Sequence, residues 1–393
     1  MENSRTKNTV LNSLFGILSF VSIILVSFLL RKVLAATLGK EYLGLNSLYT
    51  TIVSMLSLTE LGISNAIIYF LYKPVTTGDE EKIKQYLAFY KKAYYVIALI
   101  VAVLGAALIF VIPFVAKTNV EMRKVQAYFI LYVFNTAVSY LIAYKKCIIY
   151  ADQRSRVISV CHAITKIIFS IAQILVLYFT SSFLAFILIM IFCTVADNLS
   201  CAVYANAKYP YIKQKPKGKL SDCELSEIKA KMLPIAVQSL AGYVVSSTDS
   251  IIISSVISVG LVGIYSNYTL ISTTLKSLYG QVFASFTNSF GNLSVSGDTE
   301  RAYGVYCNSV YFAFIMTCCM SACFFSLVNP FIKLCFGADY VLSVYTTVLV
   351  VSSFYFTCMN VPSVSVQNAL GLHNKDATVM IVQAVLNLVL SIA

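Results

Sequence analysis

"TGDEE" (Thr77–Glu81) and "SGDTER" (Ser296–Arg301) each place a Gly-Asp turn and a short charged run between long apolar segments. Gly78 and Gly297 lie 219 residues apart, and the same offset aligns Asp79 with Asp298 and Glu81 with Glu300. It also aligns Gly44 with Gly263, Ser47 with Ser266, and Tyr49-Thr50 with Tyr268-Thr269. Slightly out of step, "IPFVAK" (Ile112–Lys117) matches "NPFIK" (Asn329–Lys333), and "YADQRSR" (Tyr150–Arg156) faces "ALGLHNK" (Ala369–Lys375). Apolar pairings arise cheaply by chance. The order and spacing of the polar punctuation are what mark a duplicated architecture.

The duplicated unit is a bundle of membrane helices. The chain of 393 residues is 59% hydrophobic and 12% charged, with mean hydropathy +0.80, too apolar for a fold in water. Runs long enough to cross the roughly 30 Å hydrocarbon core fall near 9–30, 43–72, 94–115, 126–144, 157–178, 183–204, 232–257, 261–290, 308–331 and 341–369, with a last one from 377. The first run is too long for the apolar region of a signal peptide and reads as a span. There is no Trp, so the 27 Tyr supply most of the interfacial aromatic belt. The 11 Cys, among them Cys161, Cys193, Cys201 and Cys358, fall mostly in or beside apolar runs and read as small packing residues. No Cys spacing matches a zinc or redox motif.

Alternate loops differ sharply in charge. Arg5, Lys7, the five Lys from Lys73 to Lys92, Lys145, Lys146, Arg154, Arg156, the seven Lys from Lys208 to Lys231, Arg301 and Lys375 share one side. Arg31, Lys32, Lys40, Lys117, Arg123, Lys124 and Lys333 share the other. That bias predicts a cytoplasmic N-terminus and a multi-pass protein of the bacterial cytoplasmic membrane. It also assigns the net charge of +12 to topology and anionic headgroups of membrane lipids rather than to nucleic acid.

Six spans per repeat keep both halves in one orientation, which predicts a pseudo-two-fold axis along the membrane normal. The expected fold is therefore an all-α polytopic membrane protein of two parallel-repeat six-helix lobes. Residues 1–207 form the first lobe, 208–231 a basic cytoplasmic linker, and 232–393 a second lobe. By the offset Ala393 matches Ile174, so the second lobe is expected to stop within its fifth helix, as part of a longer protein.

Ionisable groups at membrane depth are functional candidates by default. Arg31, Lys166 and Lys276 are the cations, and Glu60, Asp197 and Asp249 the acids, so charge alone does not choose a cargo. His162 precedes Lys166 by one turn on the same face. Arg31 matches Ser250, beside Asp249, so either the two pair across a central cleft, or Arg31 reaches the headgroups and Asp249 bonds Ser246, Ser247 and Thr248. Lys166 either lines a cavity or pairs with Asp197 or Glu60. Lys276 has Ser272, Thr273 and Tyr279 close in sequence and could hold a phosphate. His373 reads as a loop residue. No phosphate-cradling loop, zinc-binding His pair or nucleophile elbow occurs, so no catalytic residue, cofactor or metal is expected and the chain does not read as an enzyme.

"LTELGISNAIIYFLYKP" (Leu58–Pro74), followed by "TGDEEKIKQY", and "TDSIIISSVISVGLVGIYSNYTLI" (Thr248–Ile271) resemble the polysaccharide flippases. These are a branch of the multidrug/oligosaccharidyl-lipid/polysaccharide exporter superfamily. The matching positions are Glu60, Gly62 and Lys73-Pro74 in the first segment, and Asp249, Gly263, Tyr265 and Tyr268 in the second. The resemblance implies two six-helix lobes that alternate access around a cationic cavity. It further implies transfer of a polyprenyl-diphosphate-linked glycan from the inner to the outer leaflet, with Arg31, Lys166 and Lys276 as the available substrate-binding cations. Glu60, Asp197, Asp249 and His162 are then coupling or ion-pair candidates, and a proton or sodium a possible coupling ion. Two rivals stand beside this reading. One is a proton- or sodium-coupled multidrug antiporter of the same superfamily. The other is an integral membrane glycosyltransferase or polymerase, which the short outer loops and duplicated topology disfavour.

Overall fold

A computed structural model describes residues 2–57, 59–296, 299–370, 382–383 and 385–387. Within these the chain is a succession of helices: α1 (Glu2–Leu56), α2 (Thr59–Thr77), α3 (Glu80–Leu108), α4 (Ile112–Val115), α5 (Met122–Ala143), α6 (Lys146–Ala151), α7 (Ser155–Thr180), α8 (Phe183–Lys208), α9 (Asp222–Ile252), α10 (Val259–Ser296), α11 (Thr299–Phe336) and α12 (Val344–Leu370). Seven helices among the described residues are long and apolar enough to cross a membrane, and even the most enclosed of their apolar windows is only 33% buried. Leu99, Phe114, Leu175 and Leu334 stand on the outer surface. Such a surface suits hydrocarbon, where backbone polar groups must be satisfied inside each helix.

The predicted spans correspond to these helices with two differences. α1 is two passes joined at Gly39, whose φ of 80° and ψ of −176° lie where residues with a Cβ are strained. Near its start, Asn12 bonds the backbone of Gln153 and Arg156, at 2.8 and 3.1 Å. Just past Gly39, Tyr42 meets Phe183 with ring centroids 5.1 Å apart, and Leu56 then packs in the same cluster as Ile149 and Ala151. The chain thus runs out to Gly39 and returns. The second difference is a break at Ser57 that divides the expected 43–72 span between α1 and α2. Gly297, Asp298, His373, Lys375 and the span expected from 377 lie mostly or wholly outside the described residues.

Lys73 and Lys82 line one cleft beside the start of α9, and Lys84, Lys91, Lys145, Lys213 and Lys215 another beside the linker, so the basic turns of the first half gather at one end. At this linker end Gly78 (φ 73°) reverses the chain, and Asp79 caps α3 by accepting the Lys82 N–H at 3.0 Å. The extended link between the halves is shorter than expected, because α8 runs to Lys208 and α9 already begins at Asp222. A capping box sets that start: the Ser221 hydroxyl accepts the Glu224 N–H, and the Glu224 carboxylate accepts the Ser221 N–H. Lys82 bonds the same carboxylate at 2.7 Å, and with the Ser221 N–H it pulls the Glu224 pKa down to about 2. Glu81 accepts the Lys217 N–H. These contacts fasten the linker to the first turn of α3.

The opposite end, marked by Gly39 and Ser258, carries the duplication most clearly. One continuous core runs from Leu34 and Leu48 through Phe129 and Phe183 to Tyr268, Phe283 and Phe354, so both halves share it. The two tyrosines aligned by the repeat do matching work. Tyr49 donates to Val125 O at the start of α5 (2.7 Å), and Tyr268 accepts the Leu342 N–H just before α12 (2.9 Å). Ala35 and Ser254, again 219 apart, each have their carbonyl oxygen bonded by the other half. Tyr340 Oη donates to the first and the Lys117 N–H to the second, both at 3.1 Å. Matching contacts made in both directions are what a pseudo-two-fold axis between the halves requires.

Candidate functional site

The two halves meet where the second pass of α1 crosses α10. Gly44 lies against Val259, and Gly263 against Lys40 and Gly44. The repeat-related glycines therefore touch each other, close to the axis, where only a hydrogen fits between the backbones. Beside them the α9–α10 turn is sealed. Ile253–Ile257 forms a π-turn, and Lys117 clamps it by donating its N–H to Ser254 O (3.1 Å) and its ammonium to Val256 O (2.9 Å). The Lys117 carbonyl accepts the Val259 N–H at 2.9 Å. π-turns recur at functional positions because they are costly to retain otherwise.

Arg31 occupies this seam. Its Nε donates to Asn267 Oδ1 at 2.5 Å, and its second guanidinium nitrogen donates to Ser266 Oγ. Asn267 is buried, and its Nδ2 has no hydrogen-bond partner among the described residues. Of the two arrangements the sequence leaves open for Arg31 and Asp249, the direct pair does not form: Arg31 turns toward α10, and Asp249 on α9 accepts from Tyr265 Oη at 3.3 Å. Both partners of Arg31 are neutral. Arg31→Ala would strand the buried Asn267 Oδ1, a loss of about 1–3 kcal/mol, while Ser266 keeps its bond to Gly263 O at 2.8 Å, so a lower thermal midpoint is expected. Arg31→Lys should recover only part, since an ammonium cannot span both. An unchanged midpoint for the alanine variant would contradict this seam geometry.

A second polar cluster lies inside the first half. Asp197 on α8 is buried and accepts from Lys146 Nζ at 2.8 Å, with His162 Nδ1 at 3.4 Å and Thr165 Oγ1 at 3.4 Å. The pairing of Lys166 with Asp197 weighed from the sequence is thus replaced. Lys146, at the first turn of the short α6, folds back into the helices and takes the carboxylate. Lys166, half-buried on α7, makes no hydrogen bond or ion pair among the described residues. Lys276 on α10 donates to Thr357 Oγ1 on α12 at 3.3 Å. The side chain of Glu60 lies outside the described residues.

Sequence reasoning missed Lys117, Lys146, Ser266 and Asn267 as partners. The polar run Ser266–Thr269 inside an apolar helix was the available signal for the last two. Lys117 and Lys146 read as loop charges, since nothing local distinguishes a lysine facing solvent from one folded back.

This architecture is shared with known transporters. A multidrug-resistance MATE family transporter of the MOP superfamily, solved in an inward-facing conformation, superposes with a TM-score of 0.67 at 13% identity, over 95% of this chain and 87% of that one. The lipid II flippase MurJ, inward closed, gives 0.58 at 14% identity over 98% and 79%. A MOP superfamily transporter from Pyrococcus furiosus, described as having a binding pocket of reversed polarity, gives 0.57 at 12% over 99% and 85%. At such identities the likeness concerns the fold alone, which is that of multi-pass membrane transporters. The polysaccharide biosynthesis protein family model matches residues 7–286, and the chain belongs to that family. No curated protein sequence matches it.

Proposed function

We propose that the protein carries a polyprenyl-diphosphate-linked oligosaccharide from the cytoplasmic to the outer leaflet by alternating access of its two lobes (1–207 and 232–393, joined through 208–231). The N-terminus and the basic linker end then face the cytoplasm. The observation that carries this reading is the imbalance of compensated charge at membrane depth. Arg31 is held by Asn267 and Ser266 and Lys276 by Thr357, all neutral, while Lys166 has no carboxylate among the described residues. On the acid side Asp197 is neutralised by Lys146, which leaves Asp249 as the described in-span acid without a cation. Among the described residues, unneutralised cations at membrane depth then outnumber unneutralised acids. Cations held by neutral groups favour an anionic cargo, because an unpaired dianion in hydrocarbon costs many kcal/mol. Family membership in polysaccharide biosynthesis points the same way.

The antiporter reading needs acids free to exchange protons or sodium; Asp197 is committed to Lys146, which leaves Asp249 to serve that role among the described residues. The test is a leaflet-flip assay in proteoliposomes, scored with a fluorescent lipid-linked glycan diphosphate and, separately, with a cationic dye. Movement of the glycan lipid and not the dye is expected. Dye efflux driven by a proton or sodium gradient, without glycan flipping, would transfer the assignment to the antiporter.

A further inference from the structure

The linker end carries a second site, on the outside of the first half and away from the α1–α10 seam. A cleft of about 380 Å³ opens between α3, the turn joining α5 to α6, and the linker. Its lining holds Lys84, Lys91, Lys145, Lys213 and Lys215 and no carboxylate. Lys84 is buried and already neutralised by Glu81 at 2.8 Å. The remaining four lysines line the cleft with no acid among its lining residues, and Lys145 Nζ bonds the neutral Asn206 Oδ1, at 2.9 Å. Lys91 and Lys145 each stand 5.8 Å from the centroid of the Tyr144 ring, so one aromatic platform holds two like charges. Burial, then the charges of Lys91 and Lys213, push the Lys145 pKa down. A solvated charge run relieves such repulsion by spreading out. Here the fold concentrates it in a concave space.

Directly beyond the cleft α3 turns apolar and outward-facing. Tyr95, Val96, Leu99 and Val103 form an exposed stripe that begins one turn past Lys91. Tyr95 and Tyr144 stand at the junction, as interfacial tyrosines do. Cations at the junction with hydrocarbon running away from them match a molecule with an anionic head and apolar tails.

We propose that this cleft binds the phosphate head of an anionic phospholipid from the surrounding leaflet, its acyl chains lying along the Tyr95–Val103 stripe. The site is a fixed lipid contact that tethers the linker to α3, and it does not depend on what the seam transports. The test uses the full chain, delipidated in detergent and titrated with phosphatidylglycerol or phosphatidylcholine under native mass spectrometry. Phosphatidylglycerol is expected to bind at least about tenfold more tightly. Reversing Lys91→Glu, Lys213→Glu and Lys215→Glu together should abolish that preference, while Lys333→Glu at the opposite end should keep it. Because reversal could disturb folding, the milder Lys91→Gln and Lys213→Gln pair is included and should weaken phosphatidylglycerol several-fold at an unchanged thermal midpoint. Equal affinity for the two lipids, or undiminished phosphatidylglycerol binding in these variants, overturns the proposal. Displacement of the lipid by inorganic phosphate at matching concentration also overturns it, since the site would then serve a free anion.

Discussion

Gly263→Ala is expected to destabilise the protein and Gly280→Ala is not, although both glycines lie on α10. A Cβ at position 263 would stand 2.4 Å from Lys40 O and 2.9 Å from Gly44 N, and a Cβ at position 44 would stand 1.9 Å from Val259 O. The opposing atoms are backbone, so no rotamer change makes room and the two helices must separate. Overpacking of this kind costs about 1–3 kcal/mol, occasionally more. Position 280 has nothing within 4 Å of a Cβ, so alanine there should be neutral or gain up to about 1 kcal/mol from helix propensity. Thermal unfolding in detergent reads both signs. Gly44→Val should be the most severe, because its clash is the shortest and a β-branched side chain cannot swing clear. A wedge here also holds the Gly39 ends of the halves apart. Under alternating access it biases the protein toward opening at that end, and transport should fall further than stability does. Equal midpoints for wild type and Gly263→Ala would mean that the seam is not a backbone-to-backbone contact.

That seam was partly legible in advance. The offset aligning Gly44 with Gly263 came from polar punctuation, and the same offset relates the carbonyls of Ala35 and Ser254 that the opposing halves bond. Span positions were legible because hydropathy integrates over some twenty residues, so single errors average out. Helix ends set by one residue, such as the glycine reversal at Gly39 or the capping box at Ser221, depend on geometry that composition only hints at. Ion-pair partners were not legible. A carboxylate at position 197 can choose Lys146 or Lys166 only once α6, α7 and α8 have fixed rotations about their own axes. Those rotations follow from packing across the whole bundle. Asp249 shows the same limit: nothing local in the sequence points to the bond it accepts from Tyr265, on the next helix.

The double substitution Lys166→Ala, Lys276→Ala should abolish glycan-lipid export while leaving the fold intact, and the two halves of that statement have separate physical grounds. Stability is spared because neither truncation strands a buried group. Thr357, the partner of Lys276, also donates to Ser353 O at 2.7 Å, and Lys166 has no partner to lose among the described residues. Under the proposed function, transport is lost because a diphosphate at membrane depth would need those charges. A hydrogen bond from a charged donor contributes about 1.5–3 kcal/mol, and each 1.36 kcal/mol is about tenfold in rate. Each single alanine should then slow flipping by about ten- to a hundredfold, and the pair should fall below detection. Lys→Arg at either position keeps the charge but changes reach and geometry, so intermediate rates are expected. Thermal midpoints within a few degrees of wild type, together with absent flipping in proteoliposomes, would bear this out. Undiminished flipping in the double variant would remove these lysines from the path and leave Arg31 as the remaining candidate cation at the seam. A conserved fold with export slowed equally by neutral substitutions elsewhere on α7 and α10 would show that helix packing, not charge, limits the passage.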